Sequence, residues 1–248
     1  MFKDFGQLLV LFGKTLKSLP LLWRQRRKVC EQLFEIGNAS LLMTCILSLF
    51  IGGVLALQTG PLLVERGLGS YLGGAVGLSI CKELGPVMMA ILISGRIGSA
   101  MAAEIGSMAV YQEIDALKTM NINPIHYLVL PRMVAISIAL PLLVLFADMV
   151  GWLGGAFVAA TNHDIGVSYQ TYFTNLQAFV DPADIFNGLI KSFVFAVVVG
   201  IVSCHQGLGT IGGPRGIGRS VTKAVVNSIV LILVLDYVLT RILLFFDL

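Results

Sequence analysis

The residues of this chain most able to do chemistry are ionised side chains inside apolar stretches. Lys82 and Glu83 stand side by side in one long apolar stretch, and Asp148, Lys191 and Asp236 lie in three others. An ionised group is costly in the hydrocarbon of a membrane, so such residues usually face a cavity, a partner or an ion pathway. The Lys82-Glu83 pair therefore indicates either a site for a polar-headed ligand or an ion pair with another helix.

A proline lies close to this pair and leaves both interpretations open. Pro86 stands four residues beyond Lys82 and has no amide hydrogen to donate to the Lys82 carbonyl. We therefore expect the helix to kink or loosen at this point. A polar pair beside such a break is typical of a ligand site at membrane depth. For the other intramembrane charges, together with Arg241, the sequence favours ion pairs among themselves.

The sequence indicates no catalytic residue, metal site or cofactor in this chain. Its three histidines, His126, His163 and His205, fall in different regions, and the four cysteines have no CxxC spacing. The GxGxxG match at 207–212 follows an apolar span rather than a strand, so it predicts a compact turn instead of a nucleotide site. Because no GxxxxGK[ST] motif occurs, any ATP chemistry must come from another protein.

The elements that must position these residues are long apolar helices. The chain of 248 residues is 56% hydrophobic and 12% charged, with a mean hydropathy of +0.88. Soluble domains have roughly 25% charged residues, so this composition argues against a soluble enzyme or a nucleic-acid-binding protein. A bilayer-spanning helix needs about 20 apolar residues. Five stretches meet this requirement, near 40–58, 71–103, 133–160, 185–205 and 221–246.

The expected fold is thus an all-α membrane protein with about five transmembrane helices. The first span is predicted to end at Gly60-Pro61, and the second is expected to be the least regular. Small residues spaced four apart predict faces of close helix packing, within the chain or between two copies. These faces are Gly73/Gly77, Gly98/Ala102/Gly106 and Gly151/Gly155/Ala159.

Basic residues predict the orientation of the chain. Residues 1–35 are predicted to form an interfacial amphipathic helix on the cytoplasmic face, followed by a permease domain at 36–248. Seven Lys and Arg residues precede the first span, whereas the 161–184 loop has none. Since cytoplasmic loops are enriched in these residues, we expect a cytoplasmic N-terminus and a C-terminus on the opposite side.

The loop between the second and third spans contains a short amphipathic pattern. Apolar residues at helical spacing share it with charged residues on other faces: Ile114, Leu117 and Met120 with Glu113, Asp115 and Lys118. Such a helix is able to dock into a groove on a soluble partner. The alternative, a helix resting on the lipid surface, is disfavoured by the acidic residues.

Several ordered motifs resemble one known family. They are Phe50–Gln58; Lys82–Val87 with Gly95–Ala100; Ala103–Gly106 with Glu113–Leu117; and Gly216–Arg219 with Asp236–Thr240. From about Ile36 to Leu248, the chain resembles the permease subunit of the MCE-associated ABC transporters, the MlaE/YrbE family. The basic N-terminal segment is similar to the family's elbow helix only in character.

The resemblance implies a homodimer in the bacterial inner membrane that carries cytoplasmic ABC ATPase subunits, with their ATP and Mg²⁺, and a periplasmic MCE-domain ring. Such a complex moves phospholipid or a related lipid between envelope membranes and maintains outer-membrane lipid asymmetry. Segment 104–120 would be the coupling helix, contacting the ATPase through Glu104, Glu113, Asp115 and Leu117. Lipid-binding positions carried over from the family are Leu55, Leu62, Leu63, Arg66, Lys82 and Glu83, although Arg66 stands where a close relative has tyrosine.

Two other classes of function remain open from the residues alone. A secondary transporter or ion channel would use the intramembrane carboxylates of Glu83, Asp148 and Asp236 as proton or cation sites. It predicts ion-dependent flux through liposomes that contain this chain alone. An intramembrane enzyme predicts lipid turnover by the isolated chain.

Overall fold

The computed structural model of the protein describes residues 2–18 and 25–245. Ten α-helices lie in this part of the chain. Their bounds are α1 Phe2–Lys17, α2 Arg26–Glu65, α3 Leu72–Ser79, α4 Gly85–Ile93, α5 Ser99–Val110, α6 Glu113–Thr119, α7 Leu130–Thr161, α8 Tyr169–Phe179, α9 Pro182–Leu208 and α10 Gly213–Phe245. Three π-helical turns, Ile80–Leu84, Ser94–Gly98 and Ile125–Val129, and one 3₁₀ turn, Gly69–Tyr71, connect some of them.

Five helical stretches are long and apolar enough to cross a membrane. They are Arg26–Glu65, Gly69–Val110, Ile125–Thr161, Pro182–Leu208 and Gly213–Leu243. The predicted all-α fold with five spans is therefore confirmed. The second stretch is also the least regular, as expected, because two π-helical turns divide it into α3, α4 and α5.

The basic N-terminal region contains two helices. Helix α1 ends at Lys17, and α2 begins at Arg26, so the boundary drawn at residue 35 falls inside a continuous helix. On the first turns of α2, Arg27 and Glu31 form an i,i+4 ion pair of 3.0 Å, which favours helix ahead of the apolar span. Arg24, one of the seven basic residues before the first span, lies outside the described residues.

The prediction that Gly60-Pro61 ends the first span is wrong, because α2 continues through Pro61 to Glu65. A proline removes one helical hydrogen bond, and the residues after it are still able to donate to carbonyls four positions back. The helix ends instead at Gly67, whose φ of +70° is the left-handed conformation that glycine adopts readily. The Gly67 amide donates to the Val64 carbonyl (2.9 Å) and the Leu68 amide to the Leu63 carbonyl (2.8 Å), which is the Schellman arrangement.

The chain forms two compact units. The first comprises the residues up to Ala39, Ala90–Leu140 and Phe193–Leu235, and the second comprises Ser40–Met89, Pro141–Ser192 and the residues from Asp236 onward. The core of the second unit is an apolar cluster that includes Leu72, Val76 and Tyr172. Burial raises the pKa of the Tyr172 phenol above its ordinary value, so this group stays neutral.

The predicted small-residue faces serve packing within the chain. In the second unit, Gly73 of α3 lies against the Tyr172 carbonyl of α8, and an added Cβ would collide with it. In the first unit, a Cβ at Gly98 would lie 2.9 Å from the Ser203 hydroxyl of α9. These close approaches hold helices together where apolar burial gives little drive for association.

Candidate functional site

A π-helical turn positions Lys82 and Glu83. In the turn Ile80–Leu84, the Gly85 amide donates to the Ile80 carbonyl, five residues back instead of four. Pro86 follows in the first turn of α4. The predicted loosening of the helix is thus confirmed, and π-helical turns of this kind are frequent at functional sites.

Lys191 of α9 supplies the hydrogen bond that Pro86 cannot. Its ammonium donates at 2.9 Å to the Lys82 carbonyl, which in a regular α-helix would accept from the amide of residue 86. The Lys191 side chain is only 3% exposed. The same nitrogen lies 2.9 Å from Glu83 Oε1 and 3.3 Å from Asp236 Oδ1. One buried cation therefore closes the helix break and balances two carboxylates.

The Thr240 hydroxyl of α10 joins these groups. It accepts a hydrogen bond from Lys191 Nζ at 2.7 Å, and it lies 3.2 Å from Glu83 Oε1 and 2.8 Å from the Asp236 carbonyl. An ammonium has three protons, and here it faces four acceptors. Asp236 Oδ1, the most distant of the four, has no hydrogen bond among the described residues.

A second ion pair extends this group. Lys82 Nζ lies 2.8 Å from Asp184 Oδ1 at the start of α9. We refer to these six residues of the second unit as the charged cluster: Lys82, Glu83, Asp184, Lys191, Asp236 and Thr240. With two cations and three carboxylates, the cluster has a formal charge of −1 when all are ionised.

The charged cluster opens into a cavity of about 330 Å³. The side chains of Lys82 and Glu83 are 46% and 42% exposed, so their ion pairs do not cover them. Charged, amide and hydroxyl groups meet apolar walls in the lining, which consists of Leu78, Ser79, Lys82, Glu83, Asn187, Lys191, Thr240 and Leu243. The arrangement is able to hold an amphiphile by a polar head and an apolar tail.

Only two of the six predicted lipid-binding residues, Lys82 and Glu83, line this cavity. Leu55 and Leu63 pack against the apolar core of the second unit instead. Leu62 is exposed on the last turn of α2, and Arg66 is exposed directly after that helix. Within one copy of the chain, the predicted Lys82-Glu83 pair therefore lines the cavity, and the predicted apolar residues and Arg66 do not.

Asp148 is not part of the charged cluster, although the sequence favoured mutual pairing among the intramembrane charges. It is 3% exposed on α7, and its carboxylate lies against Gly85. Its Oδ1 has no hydrogen-bond partner in the part of the chain that the structure describes. The Lys191–Asp236 pairing is confirmed, at 3.3 Å.

The predicted coupling segment 104–120 is two helices rather than one. Glu104 belongs to α5, which ends at Val110, and α6 begins at Glu113 after Gln112 turns the backbone at a φ of +60°. On α6, Glu113 and Asp115 are exposed and Leu117 is half-buried. Of the apolar residues expected to dock onto a partner, Ile114 is already buried within this chain.

Comparisons with known proteins identify the family. The profile of the family Permease MlaE matches residues 29–242. This chain belongs to the MlaE permease family. Proteins named probable ABC transporter permease from Rickettsia bellii and Synechocystis are 39% and 38% identical to it, over 86% and 87% of this chain and 82% and 81% of their own length. The Arabidopsis thaliana protein named trigalactosyldiacylglycerol 1, chloroplastic, is 36% identical over 86% of this chain and 61% of its own length.

Membership in the MlaE family defines the protein as a multi-pass ABC transporter permease, a transport subunit that implies an ATPase partner. The charged cluster lies within the matched segment, since its residues extend from Lys82 to Thr240. The family thus accounts for a role in transport.

Two polar lining residues, Asn187 and Thr240, were not predicted, although the sequence of this MlaE permease contains a signal for them. Asp184, Asn187 and Lys191 are spaced three and four apart, which makes one polar stripe along an otherwise apolar α9. Asp236 and Thr240 repeat that spacing on α10. Polar stripes on two spans, besides the Lys82-Glu83 pair on a third, indicate a shared polar site.

Proposed function

We propose that this MlaE-family permease moves a lipid with a polar headgroup, such as a phospholipid, between membranes of the bacterial envelope. The single observation that carries the proposal is the cavity of about 330 Å³ in which the charged cluster meets apolar walls. The name of the chloroplastic relative, trigalactosyldiacylglycerol 1, is also that of a lipid.

Different lining residues would contact the headgroup and the acyl chain of such a lipid. Lys82, half-exposed, presents an ammonium to a phosphate or hydroxyl of the headgroup, and Asn187 adds an amide. Leu78 and Leu243 offer apolar contacts to the start of an acyl chain. The cavity is too small for a whole lipid with two chains, so the rest of the acyl chains must lie outside it.

A second copy of the chain is the proposed source of the missing wall. Leu62 is 50% exposed and Arg66 is exposed beside it, so both are available to a homodimer partner. In the homodimer, Leu62 and Arg66 would face the transported lipid together with Lys82 and Glu83, and the partly buried Leu55 and Leu63 would support this wall from the core side. This completes the lipid site expected from the family.

The energy comes from partner subunits. Cytoplasmic ABC ATPases with bound ATP and Mg²⁺ would contact α6 through Glu113, Asp115 and Leu117. A periplasmic MCE-domain protein would receive or deliver the lipid on the other side. This arrangement places the chain in the bacterial inner membrane with its N-terminus in the cytoplasm, as the distribution of Lys and Arg predicts.

Mass spectrometry of the complex after mild detergent purification tests this function. We expect lipid to be retained and the substitution Glu83→Lys to lower lipid occupancy about tenfold. This substitution leaves three cations beside two carboxylates and disrupts the pairing with Lys191. Glu31→Lys, an exposed change of the same type on α2, is the matched control and should retain full occupancy.

Two results would contradict the proposal. One is a complex that retains no lipid, or retains it equally with Glu83→Lys. The other is proton- or cation-dependent flux through liposomes that contain this chain alone and no nucleotide, which would instead support the secondary transporter or channel.

A further inference from the structure

The segment between α5 and α7 is a small folded excursion built around α6. Gln112 and Asn121 stand on either side of α6, and both have a φ of +60°. This left-handed conformation is uncommon outside glycine and places a sharp turn at each end of the helix. The chain therefore leaves α5, forms α6 and returns to α7 through two defined corners.

Local hydrogen bonds fix the shape of this excursion. At its second corner, the Asn121 amide donates to the Lys118 carbonyl (3.0 Å) and the Ile122 amide to the Leu117 carbonyl (2.9 Å). These two bonds form a Schellman arrangement with asparagine in the glycine position. The Asn123 side chain then accepts from the Ile125 amide at 3.0 Å. These bonds shape the excursion but do not attach it to the spans.

One long-range ion pair joins the two ends of the excursion. Arg132 Nη2, near the start of α7, lies 2.9 Å from Glu104 Oε2 on α5, which is 28 residues earlier in the chain. A second guanidinium nitrogen of Arg132 donates to the Leu128 carbonyl at 3.1 Å, within the π-helical turn that precedes α7. Arg132 thus binds its own helix with one nitrogen and α5 with another.

The two ion pairs of the excursion differ in the burial of their cations. The Arg132 side chain is 13% exposed and its partner Glu104 is 53% exposed, whereas both residues of the Asp115–Lys118 pair on α6 are more than half exposed. Removing the partner of a largely buried guanidinium therefore costs more than breaking a fully exposed pair, which contributes little. The planar fork of an arginine also fixes the direction of the groups that it binds.

We propose that Arg132 is a positioning residue whose ion pair with Glu104 holds α5 and α7 together at the base of the excursion, so that a force applied to α6 reaches both spans. The pair gives Glu104 a structural role, in place of the direct ATPase contact expected from the family. The inference rests on the proposed function insofar as α6 is the element that contacts the ATPase. The pairing itself is independent of that function.

Hydrogen–deuterium exchange of the purified full-length permease tests the pairing. With Glu104→Gln or Arg132→Gln, we expect amides 112–122 to exchange about tenfold faster, because the excursion loses the ion pair that joins its two ends. The double variant should exchange no faster than the single ones, since both changes remove one interaction. Glu31→Gln, which breaks the exposed pair with Arg27, is the matched control and should leave the exchange unchanged.

A second readout separates positioning from general stability. In complexes with the ATPase subunit, the variants should still bind the ATPase but lose about tenfold of its stimulation by lipid. Arg132→Lys keeps the positive charge but not the planar fork, so it should restore only part of that stimulation. If Arg132→Gln does not fold, Glu104→Gln replaces it, because the Glu104 side chain is 53% exposed and tolerates the change.

The outcomes distinguish the two proposals. Unchanged exchange at 112–122, or effects that multiply in the double variant, overturns the positioning role of Arg132. Faster exchange with undiminished lipid stimulation supports the ion pair as the attachment of the excursion, and it contradicts the role of α6 in coupling.

Discussion

At the scale of single residues, Lys191 is the cation that balances the carboxylates of the charged cluster. Its nitrogen satisfies the carbonyl freed by Pro86 and balances Glu83 and Asp236 at the same time. A buried ion pair is weak evidence of stability when compared with an apolar replacement of both partners. Removal of Lys191 alone is different, because two partly exposed carboxylates lose their balancing cation and the Lys82 carbonyl loses its donor.

We therefore expect Lys191→Met to destabilise the protein by about 3 kcal/mol or more, a cost typical of a broken buried pair. Thermal unfolding in detergent measures the effect. Arg27→Met removes the cation of an exposed pair and should cost under about 1 kcal/mol. Adding Glu83→Gln and Asp236→Asn to Lys191→Met should recover part of the loss. A fully stable Lys191→Met protein would contradict the charge balance described for the cluster.

At the scale of helices, backbone bonding at the ends decides where elements stop. Helix α2 passes Pro61 and stops at Gly67, and α6 stops at Asn121, in each case through a pair of bonds to the last carbonyls. A proline inside a span costs one hydrogen bond, whereas a left-handed residue turns the chain out of the helix. The end of the first span therefore depends on Gly67 more than on Pro61.

The end of α2 is testable with two glycines, one just beyond the helix and one in its interior. Gly67→Ala should destabilise the protein by about 1 kcal/mol, because a Cβ disfavours its φ of +70°. Gly37→Ala, in the helix interior with nothing within 4 Å of the new Cβ, should instead stabilise it by roughly 0.5–1 kcal/mol. Unfolding temperatures of the two variants give the comparison. Equal effects of the same sign would contradict the Gly67 stop.

Helix α6 gives a prediction at the same scale. Leu117 is half-buried and adjoins the buried Ile114, so Leu117→Arg should abolish most lipid-stimulated ATPase activity of the complex. The physical reason is that a charged side chain cannot enter an apolar contact without loss of its hydration. Glu35→Arg, an exposed change on α2, is the control. Intact stimulation with Leu117→Arg would remove α6 from the proposed coupling path.

At the scale of the whole molecule, the sequence was sufficient to predict the five spans and the Lys82-Glu83 pair of the site. Hydropathy predicts spans because backbone groups in lipid must be satisfied within the helix itself. Lys82, Glu83 and Pro86 indicated a polar site beside a helix break, and the structure confirms the break. The carried-over apolar residues Leu55 and Leu63 pack elsewhere in the chain because their helix face meets the core.

The remaining features depend on contacts between residues far apart in the chain. Lys191 meets Lys82 across 109 residues, and Thr240 meets Glu83 across 157. Neither periodicity nor composition predicts that the Lys191 ammonium donates to the Lys82 carbonyl beside Pro86. The same limit hid the pairing of Glu104 with Arg132. Local rules thus predict elements, whereas polar partners between elements require coordinates.

The crowding of four acceptors around one ammonium has a consequence for how the cavity changes state. If α9 moves so that Lys191 withdraws, a backbone oxygen, a hydroxyl and two carboxylates lose their shared hydrogen-bond donor at the same time. The cavity lining would therefore gain several free acceptors in one step. In the proposed function, a lipid headgroup with donors of its own would bind them at that point.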